Sequence, residues 1–94
     1  MNIIWDDEKD EKLKKERGIS LEEIAELIIE KKYVKIMKHP NRPEQMIFLV
    51  PIKGYIHAVP FIFDEEGNIV LKTAFASRKF NKRYGGKDNE NEAR

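Results

Sequence analysis

The sequence predicts an α+β domain in which two N-terminal helices pack on an antiparallel sheet of four to five strands and a short C-terminal helix follows. Capping signals and helical spacing are confined to the first third of the chain, whereas β-rich runs occupy residues 33–76. The connections between those runs are short, which makes consecutive strands antiparallel neighbours. A chain of 94 residues has room for one core, so we expect one domain over residues 1–84, with its helices on one face of the sheet, and a flexible tail over residues 85–94.

The N-terminal elements follow from local signals. A short strand is predicted over residues 2–5, and the three acids at 6–8 suit the positive N-terminal end of a helix that Gly18 then ends. Residues 20–23 read Ser-Leu-Glu-Glu, which has the spacing of a capping box. A second helix is therefore predicted from residue 21 to about residue 31.

The remainder of the chain predicts strands joined by tight turns. Its β-rich runs lie at residues 33–38, 45–52, 55–63 and 69–76. Proline or glycine lies in every connection between these runs, as expected for hairpin turns. Pro51 and Pro60 cannot donate ladder hydrogen bonds, so each should mark a strand end, a bulge or a sheet edge.

Positive charge is concentrated near the C-terminus of a chain whose formal net charge is only +1. Residues 72–87 contain six Lys or Arg and no acid. If Ser77 caps a short helix, the cations at 78, 79, 82 and 83 share one face, and Phe80 and Tyr84 lie on the adjacent face. This pattern predicts a surface for phosphates and bases, while the alternative is a solvated helix whose aromatic side chains dock on the core.

Composition excludes several classes of function. The chain has no cysteine and only two histidines, so disulfides and thiolate chemistry are excluded and no metal site or cofactor is predicted. The longest apolar run, residues 46–52, is far shorter than a membrane span, and the N-terminus lacks the features of a signal peptide. We therefore expect a cytoplasmic protein without a membrane partner.

Three segments resemble a known family. Trp-Asp-Asp-Glu-Lys at residues 5–9, the stretch at 13–23, and Ala-Ser-Arg-Lys at 76–79 with Lys-Arg-Tyr at 82–84 resemble the BrnT-like toxins of type II toxin-antitoxin systems. The resemblance covers roughly residues 3–84 in the same order. It implies a RelE-like fold, ribonuclease activity, and a hetero-oligomer with an antitoxin that is often a ribbon-helix-helix protein.

The sequence departs from that family at one position. Many BrnT-like chains have Lys-His-Gly before the second helix, whereas this chain has Glu16, Arg17 and Gly18. A histidine that could act as an acid or a base is therefore missing. Its absence favours an interpretation in which the chain binds nucleic acid without cleaving it.

Candidate site residues follow from the chemistry of RNA cleavage and from the resemblance. Cleavage without a metal requires a base for the 2′-hydroxyl, cations that stabilise charge on the phosphate, and an acid for the leaving oxygen. The catalytic candidates are His39, Arg42, Arg78, Lys79 and Tyr84. The RNA-binding candidates are Lys15, Arg17, Asn41, Lys82 and Arg83.

Some of these residues also suit a role without chemistry. His39 fits an exposed histidine beside a proline turn, and Lys15 and Arg17 fit ordinary cations at a helix end. Three functions remain open from sequence. They are a metal-independent endoribonuclease toxin acting on mRNA, either free or on the ribosome; a non-catalytic nucleic-acid-binding or regulatory module; and an interaction protein that serves a partner chain.

Overall fold

The computed structural model describes residues 2–85 and contains three helices and a six-stranded mixed sheet. The elements are β1 (Ile3–Trp5), α1 (Asp7–Arg17), α2 (Leu21–Ile29), β2 (Lys35–Lys38), β3 (Met46–Ile52), β4 (Tyr55–Phe63), β5 (Ile69–Leu71), β6 (Phe75–Ala76) and α3 (Arg78–Tyr84). The α+β class, the two N-terminal helices and the short C-terminal helix are thus confirmed. The flexible tail was predicted for a stretch that, from residue 86 onwards, lies outside the described residues.

The sheet has the order β1-β5-β4-β3-β2, and β6 pairs with β4 beside β5. All pairings are antiparallel except that of β1 with β5, which is parallel. The sheet therefore has more strands than the predicted four to five, and it is mixed. The parallel pair arises because the chain returns to β1 only after all of α1 to β4, and no local signal encodes such a long-range pairing.

The helical hairpin is fixed by caps and by one buried acid. Asp6 caps α1, where its side chain accepts a hydrogen bond from the Glu8 N–H at 2.8 Å. Asp10 of α1 is only 7% exposed, and its Oδ1 accepts a hydrogen bond from the Leu21 N–H at 2.8 Å. This contact satisfies an N–H that the first turn of α2 leaves free, so Asp10 joins the two helices. No helix within residues 2–85 combines the length and apolar character needed to cross a membrane.

The two faces of the sheet carry different helices. Side chains alternate along β3: Phe48 and Val50 pack with α1 and α2, whereas Ile47 and Leu49 point to the opposite face, where α3 lies. The expectation that all helices share one face was therefore wrong. A reason is visible in the sequence, since residues 46–50 form an unbroken apolar run of the kind found in strands buried on both faces.

A β-bulge interrupts the last predicted strand. The Phe61–Leu71 pair and the Ala58–Phe75 pair are three residues apart on β4 but four residues apart on the partner segment. The partner segment therefore contains one extra residue, which is a β-bulge. The Lys72 N–H donates to the Pro60 carbonyl at 2.9 Å, but Pro60 has no N–H to return. The predicted strand over residues 69–76 is consequently split into β5 and β6.

Candidate nucleic-acid interface

Helix α3 is anchored to the sheet at several points. The Ser77 Oγ accepts a hydrogen bond from the Phe80 N–H at 3.2 Å, which confirms Ser77 as the cap. The Ser77 N–H donates to the Ile56 carbonyl at 3.0 Å, and the Ile56 N–H donates to the Asn81 Oδ1 at 3.0 Å. The rings of Phe80 and Tyr84 pack on the apolar cluster of β3 and β4. The aromatic side chains of α3 thus dock on the core, as the alternative interpretation of this segment expected.

The cations of α3 have no counter-ions in the described chain. Arg78, Lys79, Lys82 and Arg83 are all exposed. Within residues 2–85 the ion pairs are Lys14–Asp10 and Lys32–Glu30, and neither involves α3. The first turn of α3 contains no acid, and Arg78 and Lys79 begin it. Cations at this end oppose the helix dipole, so helix stability explains neither Arg78 nor Lys79.

Lys35 adds another cation to the same surface. Its Nζ lies 6.0 Å from the centre of the Tyr84 ring, and the Arg83 Cζ lies 5.9 Å from that centre. Lys35 pairs with Leu49 in the sheet, so both side chains project to the α3 side. Sequence reasoning missed Lys35, although strand alternation would have found it had the face occupied by α3 been known. We call Lys35 and the four α3 cations the α3 surface.

The predicted catalytic residues of the 39–42 loop lie away from the α3 surface. Ser77 contacts Ile56 at one end of β4, whereas the His39 N–H donates to the Gln45 carbonyl beyond the Met46–Phe61 pair. Residues 56 to 61 of β4 separate these points, which corresponds to roughly 17 Å of strand. The structure therefore does not bring His39, Asn41 and Arg42 together with Arg78, and their roles stay predictions.

The imidazole of His39 is held within its own loop. The Asn41 N–H donates to the His39 Nδ1 at 3.1 Å, so in this conformation that nitrogen acts as an acceptor. His57, the other histidine, is 8% exposed, and its Nδ1 lies 2.9 Å from the Tyr55 carbonyl. The side chain of His57 pairs with Val50 on the face of α1 and α2, which makes it a packing residue.

Arg17 belongs to a second cationic region. Its Nη1 donates to the Ala74 carbonyl at 2.7 Å, and the guanidinium lines a cleft of about 340 Å³ on the side of the sheet opposite α3. We call this the α1 cleft. Its lining residues are Lys9, Lys12, Leu13, Glu16, Arg17, Lys72 and Thr73. Lys15, also predicted to bind RNA, is exposed and is not among them.

A larger cleft, of about 640 Å³, lies beyond the C-terminal end of α2. Its lining is mostly apolar and includes Ile29, Ile36 and Phe63, which are 68%, 40% and 52% exposed. Large apolar side chains exposed around one concavity are typical of a surface that another protein covers. The cleft has no role in the chemistry predicted from sequence.

Comparison with known proteins identifies the fold. No protein-family profile matches the sequence, and no curated protein matches it. Among solved structures, a ribonuclease toxin superposes with a TM-score of 0.63 over 82% of this chain and 96% of its own, at 17% sequence identity. That toxin is BrnT of Brucella abortus, whose crystal structure was determined at 1.1 Å resolution. The present chain therefore has a BrnT-like fold, as the sequence resemblance predicted.

Proposed function

We propose that this protein is the toxin of a type II toxin-antitoxin system and cleaves mRNA as a metal-independent endoribonuclease. The observation that carries the proposal is the α3 surface, whose cations have no carboxylate partner among residues 2–85 and, in the first turn, oppose the helix dipole. An RNA phosphate would relieve that repulsion. The BrnT-like fold supports the same assignment, since BrnT is a ribonuclease toxin.

In this proposal the α3 surface stabilises the charge that develops on the phosphate when a 2′-hydroxyl attacks it. Arg78 is suited to this role because a guanidinium contacts two phosphate oxygens at once. Neighbouring phosphates are held by the single ammonium groups of Lys79 and Lys82 and by the forked guanidinium of Arg83. Tyr84 is the proton-transfer candidate that lies on this surface, whereas His39 can contribute only where the RNA also reaches its loop, which is roughly 17 Å along the sheet from the start of α3.

A second function is favoured by the positions of the histidines. The family histidine is replaced by Arg17, whose guanidinium is bound to the Ala74 carbonyl, and His39 lies away from the α3 surface. A scaffold with cations but without a nearby imidazole would bind nucleic acid and cleave it slowly or not at all. The alternative is therefore a non-catalytic nucleic-acid-binding or regulatory module.

The proposal includes an antitoxin partner. The large apolar cleft, whose lining includes the exposed Ile29 and Phe63, is the surface that we assign to this hetero-oligomer. Co-expression with the neighbouring gene should yield a stable complex and restore growth. Substitution of both Ile29 and Phe63 by serine should weaken that complex without reducing RNA binding by the free protein.

Cleavage by purified, partner-free protein tests the proposal. Arg78→Ala should lower the rate of RNA cleavage by about 10²-fold or more, because it removes charge stabilisation in the transition state. Arg78→Lys should recover part of the rate. Lys32→Ala, which removes an exposed cation that lies outside α3 and pairs with Glu30, serves as the control and should cut at the parent rate.

The products and the histidine variant complete the test. EDTA should leave cleavage intact, and the products should end in a 2′,3′-cyclic phosphate or a 3′-phosphate. If His39 transfers the proton, His39→Ala should also lower the rate by about 10²-fold with little change in binding. A folded protein that cuts neither naked RNA nor ribosome-bound message would support the binding module instead.

A further inference from the structure

The α1 cleft is formed by the β-bulge and by its contact with α1, and not by surface lysines alone. Leu71 and Ala74 are both buried on the side of α1 and α2, although residues three apart in a regular strand face opposite sides. The extra residue of the bulge therefore lies between them, at Lys72 and Thr73, which both line the cleft. The hydrogen bond from Arg17 to Ala74 fixes α1 against this bulge. Bulges commonly redirect a side chain next to a site.

The charge of the α1 cleft is strongly positive. Four cations and one acid, Glu16, line it, and none of them takes part in an ion pair within residues 2–85. Lys9, Lys12 and Glu16 lie on one face of α1, where positions three and four apart are neighbours. Thr73, whose side chain carries a hydroxyl, belongs to the same lining. A cleft with this lining has the chemistry of a phosphate site.

The α1 cleft and the α3 surface are joined by one stretch of chain. Residues 72–84 contain five Lys or Arg and no Asp or Glu. Thr73 lies five positions before Arg78, so their Cα atoms are at most about 18 Å apart. Between them β6 pairs only with β4 in the described chain and leaves its outer side open. A single strand passing around β6 would therefore meet cations on both faces of the sheet.

We propose that the α1 cleft binds a backbone phosphate of the same RNA strand that occupies the α3 surface. The identity of this ligand as RNA rests on the proposed function. The cations of the cleft outnumber its one acid, Glu16, by four to one, so contact with backbone phosphate dominates. Phosphate contacts add affinity and fix the direction of the strand, but they carry no sequence information. The catalytic step stays at the α3 surface.

The salt dependence of binding tests this site. The probe is a single-stranded 2′-O-methyl RNA of about twelve nucleotides, which binds but cannot be cleaved through its 2′ position. Lys12→Ala with Lys72→Ala should lower the slope of log K against log salt by about 0.7, because the cleft holds one phosphate and each single-strand phosphate contact contributes about 0.7. Lys32→Ala with Lys38→Ala removes the same charge away from the cleft and should leave the slope at the parent value.

The outcomes separate this inference from the proposed function. An equal change in slope for both double variants, or none for Lys12→Ala with Lys72→Ala, would overturn the inference even if the parent cleaves RNA. The expected slopes would support it even if the parent binds without cleaving. Inorganic triphosphate provides a further arm: if the cleft variant loses triphosphate binding but keeps the RNA slope, the cleft takes a free anion and the inference fails.

Discussion

The helices on the two faces of the sheet differ in the charge of their first turns. Helices α1 and α2 have acids in their first turns, and α1 has bases in its last turn, so their charges suit the helix dipole. Helix α3 begins with Arg78 and Lys79 and has no acid in its first turn. The charges of α1 and α2 are thus explained by helix stability, whereas those of Arg78 and Lys79 require another cause. Such a conflict between local stability and sequence is typical of a functional surface.

The difference in burial between the faces predicts the largest effects on stability. Phe61 packs with α1 and α2 and is 2% exposed, whereas Phe80 of α3 is only partly buried. Phe61→Ala should lower the free energy of unfolding by about 3–5 kcal/mol. Phe80→Ala should cost about 1–2 kcal/mol, because part of its ring already lies in water. Urea denaturation measures both values, and equal losses would show that the α3 face shares the main core.

The buried cap in the helical hairpin predicts an effect of intermediate size. Asp10→Ala leaves the Leu21 N–H without its acceptor in a buried position, so we expect a loss of about 1–3 kcal/mol in the free energy of unfolding. Glu11→Ala, at an exposed position on the same helix, is the matched control and should change stability by less than about 0.5 kcal/mol. If Asp10→Ala proves as stable as Glu11→Ala, the helical hairpin does not depend on this contact.

The turn between β4 and β5 predicts the smallest effect. Asp64 accepts hydrogen bonds from the N–H groups of Asn68 and Glu66, and the Asn68 bond is the main cause that lowers the pKa of Asp64 below 3.8. The ionised carboxylate therefore stabilises the fold above pH of about 4, and this contribution is lost as the pH falls through the lowered pKa. The stability difference between the parent and Asp64→Asn should shrink below that pH. An Asp64 carboxyl resonance that titrates above 3.8 would contradict this origin.

Local signals were enough to predict where the helices begin on both faces, whereas α2 ends at Ile29 and not at the predicted residue 31. Ser20 and Ser77 each cap a helix through contacts within three residues, so the sequence alone carries that information. The first strand and the run over β4 were predicted for the same reason, since β-rich composition and turn signals are local.

Properties that depend on topology could not be predicted in this way. The face occupied by α3, the parallel pairing of β1 and the contact of Lys35 with Tyr84 all join segments distant in sequence. The same limit applies to the site: His39 and Arg78 were grouped by chemistry, but strands β3 and β4 separate them. Pro60 was a partial exception, because its missing donor predicted a strand end, a bulge or an edge, and the structure has a bulge opposite it. The sequence did not indicate that Lys72 would line a cleft with α1.

A charge reversal in the first turn of α3 tests most directly whether its cations serve a ligand. Arg78→Glu places an acid where the helix dipole favours one, so the free energy of unfolding should stay the same or rise by up to about 1 kcal/mol. Affinity for single-stranded RNA should fall by about tenfold or more, with a smaller dependence on salt. Glu22→Lys makes the reverse change in α2 and should lower stability by about 0.3–1 kcal/mol. A less stable Arg78→Glu variant that binds RNA like the parent would contradict a ligand-binding role for α3.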